Sequence, residues 1–174
     1  MSEFTLVGTT KMLGKYTMKY IWLLILICHT ASANDLQFKI GPTMNTETKF
    51  ANKLFAMGYS HKLTNLFDYQ IEGGLFNSLT GGQTYFGAVS LGTGVIGSWY
   101  YSKIFCGPAY VSKTNEYLNT PIEITSDIEF GLRDNRGVSI GLDYKHFSNG
   151  GLVAGPNLGR DFLVLKLQLS LGQF

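Results

Sequence analysis

The chain has 174 residues, 45% of them hydrophobic and 14% aromatic, with 21 Gly against 4 Pro. This length and composition suit a single domain, closer to a β-barrel than to a helical protein. The formal charge of +2 belongs to the N-terminus: beyond residue 33, eleven basic residues meet eleven acidic ones. No basic run remains there, which argues against nucleic acid as a partner.

Met18-Lys19-Tyr20 leads into the apolar run Ile21 to Cys28, and Ala31-Ser32-Ala33 follows. A basic start, a short apolar core and an Ala-x-Ala site form a secretory signal peptide, cut before Asn34. The apolar run falls far short of the roughly 20 residues that a membrane-spanning helix needs. Ile27 stands where a lipoprotein signal would carry a small residue before Cys28. Residues 1–17 read as an extended basic region or an early start, so the expected organisation is signal peptide 1–33 and barrel 34–174. Past the cut only Cys106 remains, so no intramolecular disulfide can form. His61 and His146 are the only histidines there, too few for a zinc site.

In chain order, Leu36 to Ile40 alternates weakly and predicts a first strand ending at Gly41-Pro42. Lys49 to Tyr59 is ambiguous: Phe50, Leu54 and Met57 have helical spacing, while the neighbouring strands argue for a strand. His61 reads as a turn residue. Phe67 to Phe76 places Phe67, Tyr69, Ile71 and Gly73 opposite Asp68, Gln70 and Glu72. Gln83 to Val95 sets Tyr85, Val89, Leu91 and Val95 against Ala88, Ser90, Gly92 and Gly94. The aromatic cluster Trp99-Tyr100-Tyr101 is either a membrane-interface girdle or core packing. Lys103 to Val111 follows, then a polar loop from Ser112 to Pro121. Ile128, Phe130 and Leu132 alternate with Glu129, Gly131 and Arg133, and Asp134-Asn135-Arg136-Gly137 makes a tight turn.

The most patterned stretch runs from Gly137 to Leu171, two alternating runs joined by a loop rich in Gly, Pro and Asn. Val138, Ile140, Leu142 and Tyr144 share a parity that His146 and Ser148 continue. Leu163, Leu165, Leu167 and Leu169 share another, which Asp161 begins. Because strand side chains alternate faces, a His, a Ser and an Asp lie at the loop end of two apolar faces. Nucleophile, base and orienting carboxylate are what a serine hydrolase needs. The plainer alternative is that these are ordinary polar residues at a strand end.

The runs amount to about eight strands with no convincing helix beyond the signal. In a membrane barrel the apolar faces meet lipid. Asp68, Gln70, Glu72, Glu129, Arg133, Asp143, Lys145, Lys166 and Gln168 would then share the lumen, where charges of both signs pair. Eight strands enclose a space that side chains fill, so no pore is expected. Long loops mark the outer side, which puts His146, Ser148 and Asp161 at outer-leaflet level on the lipid-facing surface.

His146-Phe147-Ser148-Asn149-Gly150-Gly151-Leu152, followed by Gly155-Pro156-Asn157-Leu158-Gly159-Arg160-Asp161-Phe162, resembles the PagL-type lipid A 3-O-deacylases. The match reaches back through Thr120-Pro121, the strand around Phe130 and the strand from Gly137. The resemblance implies an all-β, eight-stranded antiparallel up-and-down transmembrane barrel in the outer membrane. It also implies hydrolysis of the hydroxyacyl ester at the 3-position of lipid A, within lipopolysaccharide, without a cofactor. By position Ser148 resembles the nucleophile, His146 the general base and Asp161 the orienting acid. Asn149, with N–H groups near Gly150 and Gly151, is similar to the oxyanion-stabilising region. Three departures stand out: Asp161 replaces the usual Glu, Gly150 replaces the usual Ala, and the terminal Phe174 is out of phase with Leu167, Leu169 and Leu171. A homodimer is left open. The competing readings are a non-enzymatic outer-membrane barrel, such as an adhesin, and a soluble lipid-binding barrel.

Overall fold

A computed structural model describes residues 34–44, 53–77, 82–114, 117–151 and 157–171. Residues 1–33, where the signal peptide is expected, and Phe174 lie outside the described residues, as does Gly155-Pro156 of the last loop. Eight strands form a closed antiparallel barrel in chain order: β1 Asn34–Pro42, β2 Lys53–Lys62, β3 Asp68–Asn77, β4 Gln83–Ile96, β5 Tyr100–Val111, β6 Ile122–Arg133, β7 Val138–Ser148 and β8 Arg160–Ser170. β1 pairs with β8 from Asp35↔Ser170 to Ile40↔Leu165, so the sheet has no free edge. The single chain closes its own sheet.

Period-two alternation decides each face. In β8, Arg160, Phe162, Val164, Lys166 and Gln168 turn inward and are buried, while Leu163, Leu165 and Leu167 are exposed on the outside. The same rule settles the ambiguous second segment. Leu54 is buried and Met57 exposed, on opposite faces, so the helical spacing there was coincidental. The strand also extends through His61, which is therefore no turn residue; its Nδ1 lies 2.9 Å from Asn34 Oδ1. The aromatic cluster divides: Trp99 and Tyr100 are exposed, and Tyr101 is buried inside.

The interior has two layers. In the middle, Lys39 Nζ lies 2.6 Å from Asp143, 2.9 Å from Glu72, 3.2 Å from Glu129 and 3.3 Å from Asp127. Lys145 bridges Asp127 and Glu72, and Lys166 binds Glu129. Asp127, Glu129 and Asp143 cluster closely enough to hold a metal ion, but the Lys39 ammonium is their shared cation. Of the expected lumen residues, Gln70, Glu72, Glu129, Asp143, Lys145, Lys166 and Gln168 are buried. Asp68 and Arg133 line a cavity of about 320 Å³ at one mouth, where Asp68 pairs with Lys103 at 2.6 Å.

The second layer is apolar, unlike the uniformly polar interior expected. Phe76, Phe86, Phe147 and Phe162 pack ring to ring, with centroids 5.1–6.1 Å apart. The Arg160 guanidinium lies over Phe76, Phe162 and Tyr117. Two of these rings, Phe147 and Phe162, come from inward positions next to the outward-facing residues of β7 and β8. They pin the backbone under the candidate site.

The three connections at one end are short, and three of the four at the other are long. One of the short ones runs from Asp134 to Gly137, where Gly137 adopts φ 83° and Asp134 Oδ1 accepts the N–H groups of Val138 and Arg136. Those bonds, Val138 first, hold the Asp134 carboxyl below the usual carboxylate range. Residues 112–121 and 149–159 bridge the opposite end, where β7 stops and β8 starts.

Candidate functional site

His146 and Asp161 occupy one rung of the β7–β8 ladder, and Ser148 follows two residues later on the same outer face. His146 Nδ1 lies 2.6 Å from Asp161 Oδ1, with both side chains partly exposed. Ser148 pairs with Ile124 across β6 and is half-buried. Among the described hydrogen bonds none joins its hydroxyl to the imidazole; such bonds commonly tighten only when substrate arrives. All three residues share the parity of exposed Leu142, Tyr144, Leu163 and Leu165, outside the barrel.

Several neighbours hold this arrangement. The Asp161 carbonyl accepts the Met44 N–H at 2.8 Å and the Thr43 hydroxyl at 3.1 Å. Tyr144 donates its hydroxyl to Asp161 Oδ1 at 2.7 Å. Gly159 backs the imidazole: it has φ 71°, and a Cβ there would meet His146 Cε1 at 2.7 Å and Nε2 at 3.4 Å. A side chain at this position is therefore excluded twice, by backbone conformation and by the ring.

Asn149 points to the inner side of the rim. Its amide nitrogen donates to Asn119 Oδ1 at 2.9 Å, and its Oδ1 accepts the Gly151 N–H at 2.8 Å. Asn157 donates to Asn119 Oδ1 at 3.3 Å and to Glu123 Oε2 at 3.1 Å, while its own Oδ1 accepts the Gly159 N–H at 3.1 Å. This network ties the 149–159 connection to the 112–121 connection. It sets the turn that follows Ser148, with Gly150 at φ 60° and Gly151 at φ 77°. The side chain of Asn149 is thus committed to loop structure, and the Gly151 N–H to Asn149.

Sequence reasoning brought His146, Ser148 and Asp161 to one face but assigned no part to Tyr144, Gly159, Asn119 or Glu123. Tyr144 was legible in principle, because it precedes His146 by two and shares its parity. Asn119 was not, since its partners are 30 and 38 residues away.

The fold is shared with known outer-membrane barrels. The crystal structure of the outer membrane enzyme PagL superimposes with a TM-score of 0.62 at 18% identity, covering 78% of this chain and 98% of that one. A de novo designed transmembrane β-barrel gives 0.58 at 10% identity over 82% and 98%. Neisserial surface protein A gives 0.57 at 9% identity over 83% and 98%. These likenesses establish the eight-stranded transmembrane barrel. No curated protein is significantly similar to the chain in sequence. The model of the lipid A 3-O-deacylase (PagL) family matches residues 36–170, from the first strand to the last. The chain therefore belongs to the lipid A 3-O-deacylase family.

Proposed function

We propose that this barrel is an outer-membrane esterase that removes the 3-O-linked hydroxyacyl chain of lipid A. Ser148 is the nucleophile, His146 the general base and Asp161 the orienting acid, on the lipid-facing surface. The observation that carries the reading is the 2.6 Å contact between His146 Nδ1 and Asp161 Oδ1 on the outer face, in a chain of this family. A soluble substrate gains nothing from a site there; a lipid presents its ester to it directly. Export by the signal peptide 1–33 delivers the chain to that membrane.

His146 Nε2 takes the Ser148 proton as the hydroxyl oxygen attacks the acyl carbonyl carbon. The Asp161 carboxylate keeps Nδ1 protonated and stabilises the imidazolium that forms. Main-chain N–H groups around Asn149 and Gly150 stabilise the oxyanion, each donor worth about 3–4 kcal/mol. The tetrahedral intermediate collapses, the C–O bond to the sugar breaks, and the imidazolium returns its proton to the departing sugar oxygen. Water, deprotonated by the same imidazole, then releases the hydroxy fatty acid and restores Ser148. No cofactor enters.

Mass spectrometry of lipid A from cells carrying the wild type or Ser148→Ala tests this. Loss of one hydroxyacyl chain in the wild type only is the expected result, with heat-modifiable migration intact in both. Deacylation by Ser148→Ala would overturn the assignment. Unchanged lipid A in both strains would point to a non-enzymatic barrel.

A further inference from the structure

We propose that Tyr144 is the positioning residue for the acid of this site; the proposal rests on the serine-esterase reading above. The Tyr144 hydroxyl donates to Asp161 Oδ1 at 2.7 Å, the same oxygen that meets His146 Nδ1 at 2.6 Å. Tyr144 pairs with Leu163 on its own rung, so its ring reaches diagonally to the next rung, where His146 faces Asp161. Diagonal neighbours on one face of a sheet lie within reach of an aromatic side chain.

The chemistry requires such a partner. A carboxylate on the outer face of a membrane barrel has little water to share its charge, and an unsatisfied Tyr hydroxyl there is costly as well. Each group satisfies the other. Asp161 also has one methylene fewer than a glutamate, so it cannot fold or extend to recover a lost contact. Its main chain is fixed by Thr43 and Met44 at the carbonyl. The Tyr144 bond fixes the remaining side-chain rotation, with Oδ1 turned to the imidazole. Tyr144 touches the acid and not the reacting ester, so its effect passes through Asp161.

Kinetics of purified barrel on lipid A in detergent test this. Tyr144→Phe keeps the ring and removes the donor. Its kcat should fall about tenfold, the effect of one hydrogen bond, with KM within twofold and heat-modifiable migration unchanged. The same substitution in an Asp161→Glu background should cost twofold or less, because the longer, more flexible arm can turn its carboxylate to the imidazole without that bond. In NMR spectra the downfield His146 Nδ1–H resonance should broaden in Tyr144→Phe. Wild-type kcat in Tyr144→Phe, an equal loss in both backgrounds, or an unchanged resonance would overturn the proposal. Ser148→Ala runs in the same assay: if it retains activity the esterase reading itself fails, whereas an inactive Ser148→Ala beside a fully active Tyr144→Phe removes only the positioning role.

Discussion

His146 and Asp161 face each other directly across β7 and β8, with Nδ1 and Oδ1 2.6 Å apart. Directly opposite residues have Cβ atoms about 4.5–5.5 Å apart. At that spacing a carboxylate on a single methylene reaches the ring, and the shorter acid in place of glutamate is compatible with contact. The strand register, which pairs two residues fifteen positions apart across a long loop, brings the short side chain within reach.

Asp161→Asn should therefore leave the ring in place but lose control of its tautomer. The expected cost is on the order of 10⁴-fold in kcat, short of the loss in Ser148→Ala, because orientation and charge stabilisation are removed but not the bond-forming atom. Single-turnover deacylation by the two variants, normalised to folded barrel, makes the comparison. An equal loss in both would assign Asp161 a more direct part.

The faces of β3, β4, β7 and β8 were legible because alternation is a local property: Leu163, Leu165 and Leu167 announce their side without knowledge of any partner. So was the face that His146, Ser148 and Asp161 share. Lys39 and Asp127 were not singled out, although both are buried at the centre of the charge network. Each stands in a segment whose alternation is short or blurred, Gln37-Phe38-Lys39 and Thr125-Ser126-Asp127, and their meeting 88 residues apart is a product of barrel closure. The aromatic layer was hidden differently. Phe147 and Phe162 have the hydrophobicity of an outward residue and the parity of an inward one, and parity decides.

Gly159→Ala should damage catalysis more than stability. Forcing a Cβ into the left-handed region costs about 1–2 kcal/mol, and this Cβ would also lie 2.7 Å from His146 Cε1. The ring must move off Asp161, so kcat should fall at least tenfold while the barrel still folds. Gly82→Ala is the control. Gly82 has φ 88° but meets only the flexible tip of Lys113, at 3.1 Å, so it carries the backbone cost and should keep wild-type kcat. Equal activity in the two variants would show that the imidazole does not depend on the glycine behind it.

Lys39→Met should destabilise the barrel through its interior. Four buried carboxylates, Glu72, Asp127, Glu129 and Asp143, all lie within 3.3 Å of the Lys39 ammonium. Methionine matches the length of the side chain and removes the charge, leaving Lys145 and Lys166 to face four acids. Breaking a buried ion pair from one side costs about 3–5 kcal/mol, because the surviving charge has neither water nor partner. The temperature at which heat-modifiable migration is lost should drop accordingly. Asp143 makes the shortest of the four contacts, 2.6 Å, so adding Asp143→Asn removes the charge most exposed by the loss and should recover much of the stability. The restoring effect distinguishes charge imbalance from a packing defect: a cavity or clash left by methionine would persist in the double variant, and its stability would then fall below that of Lys39→Met alone.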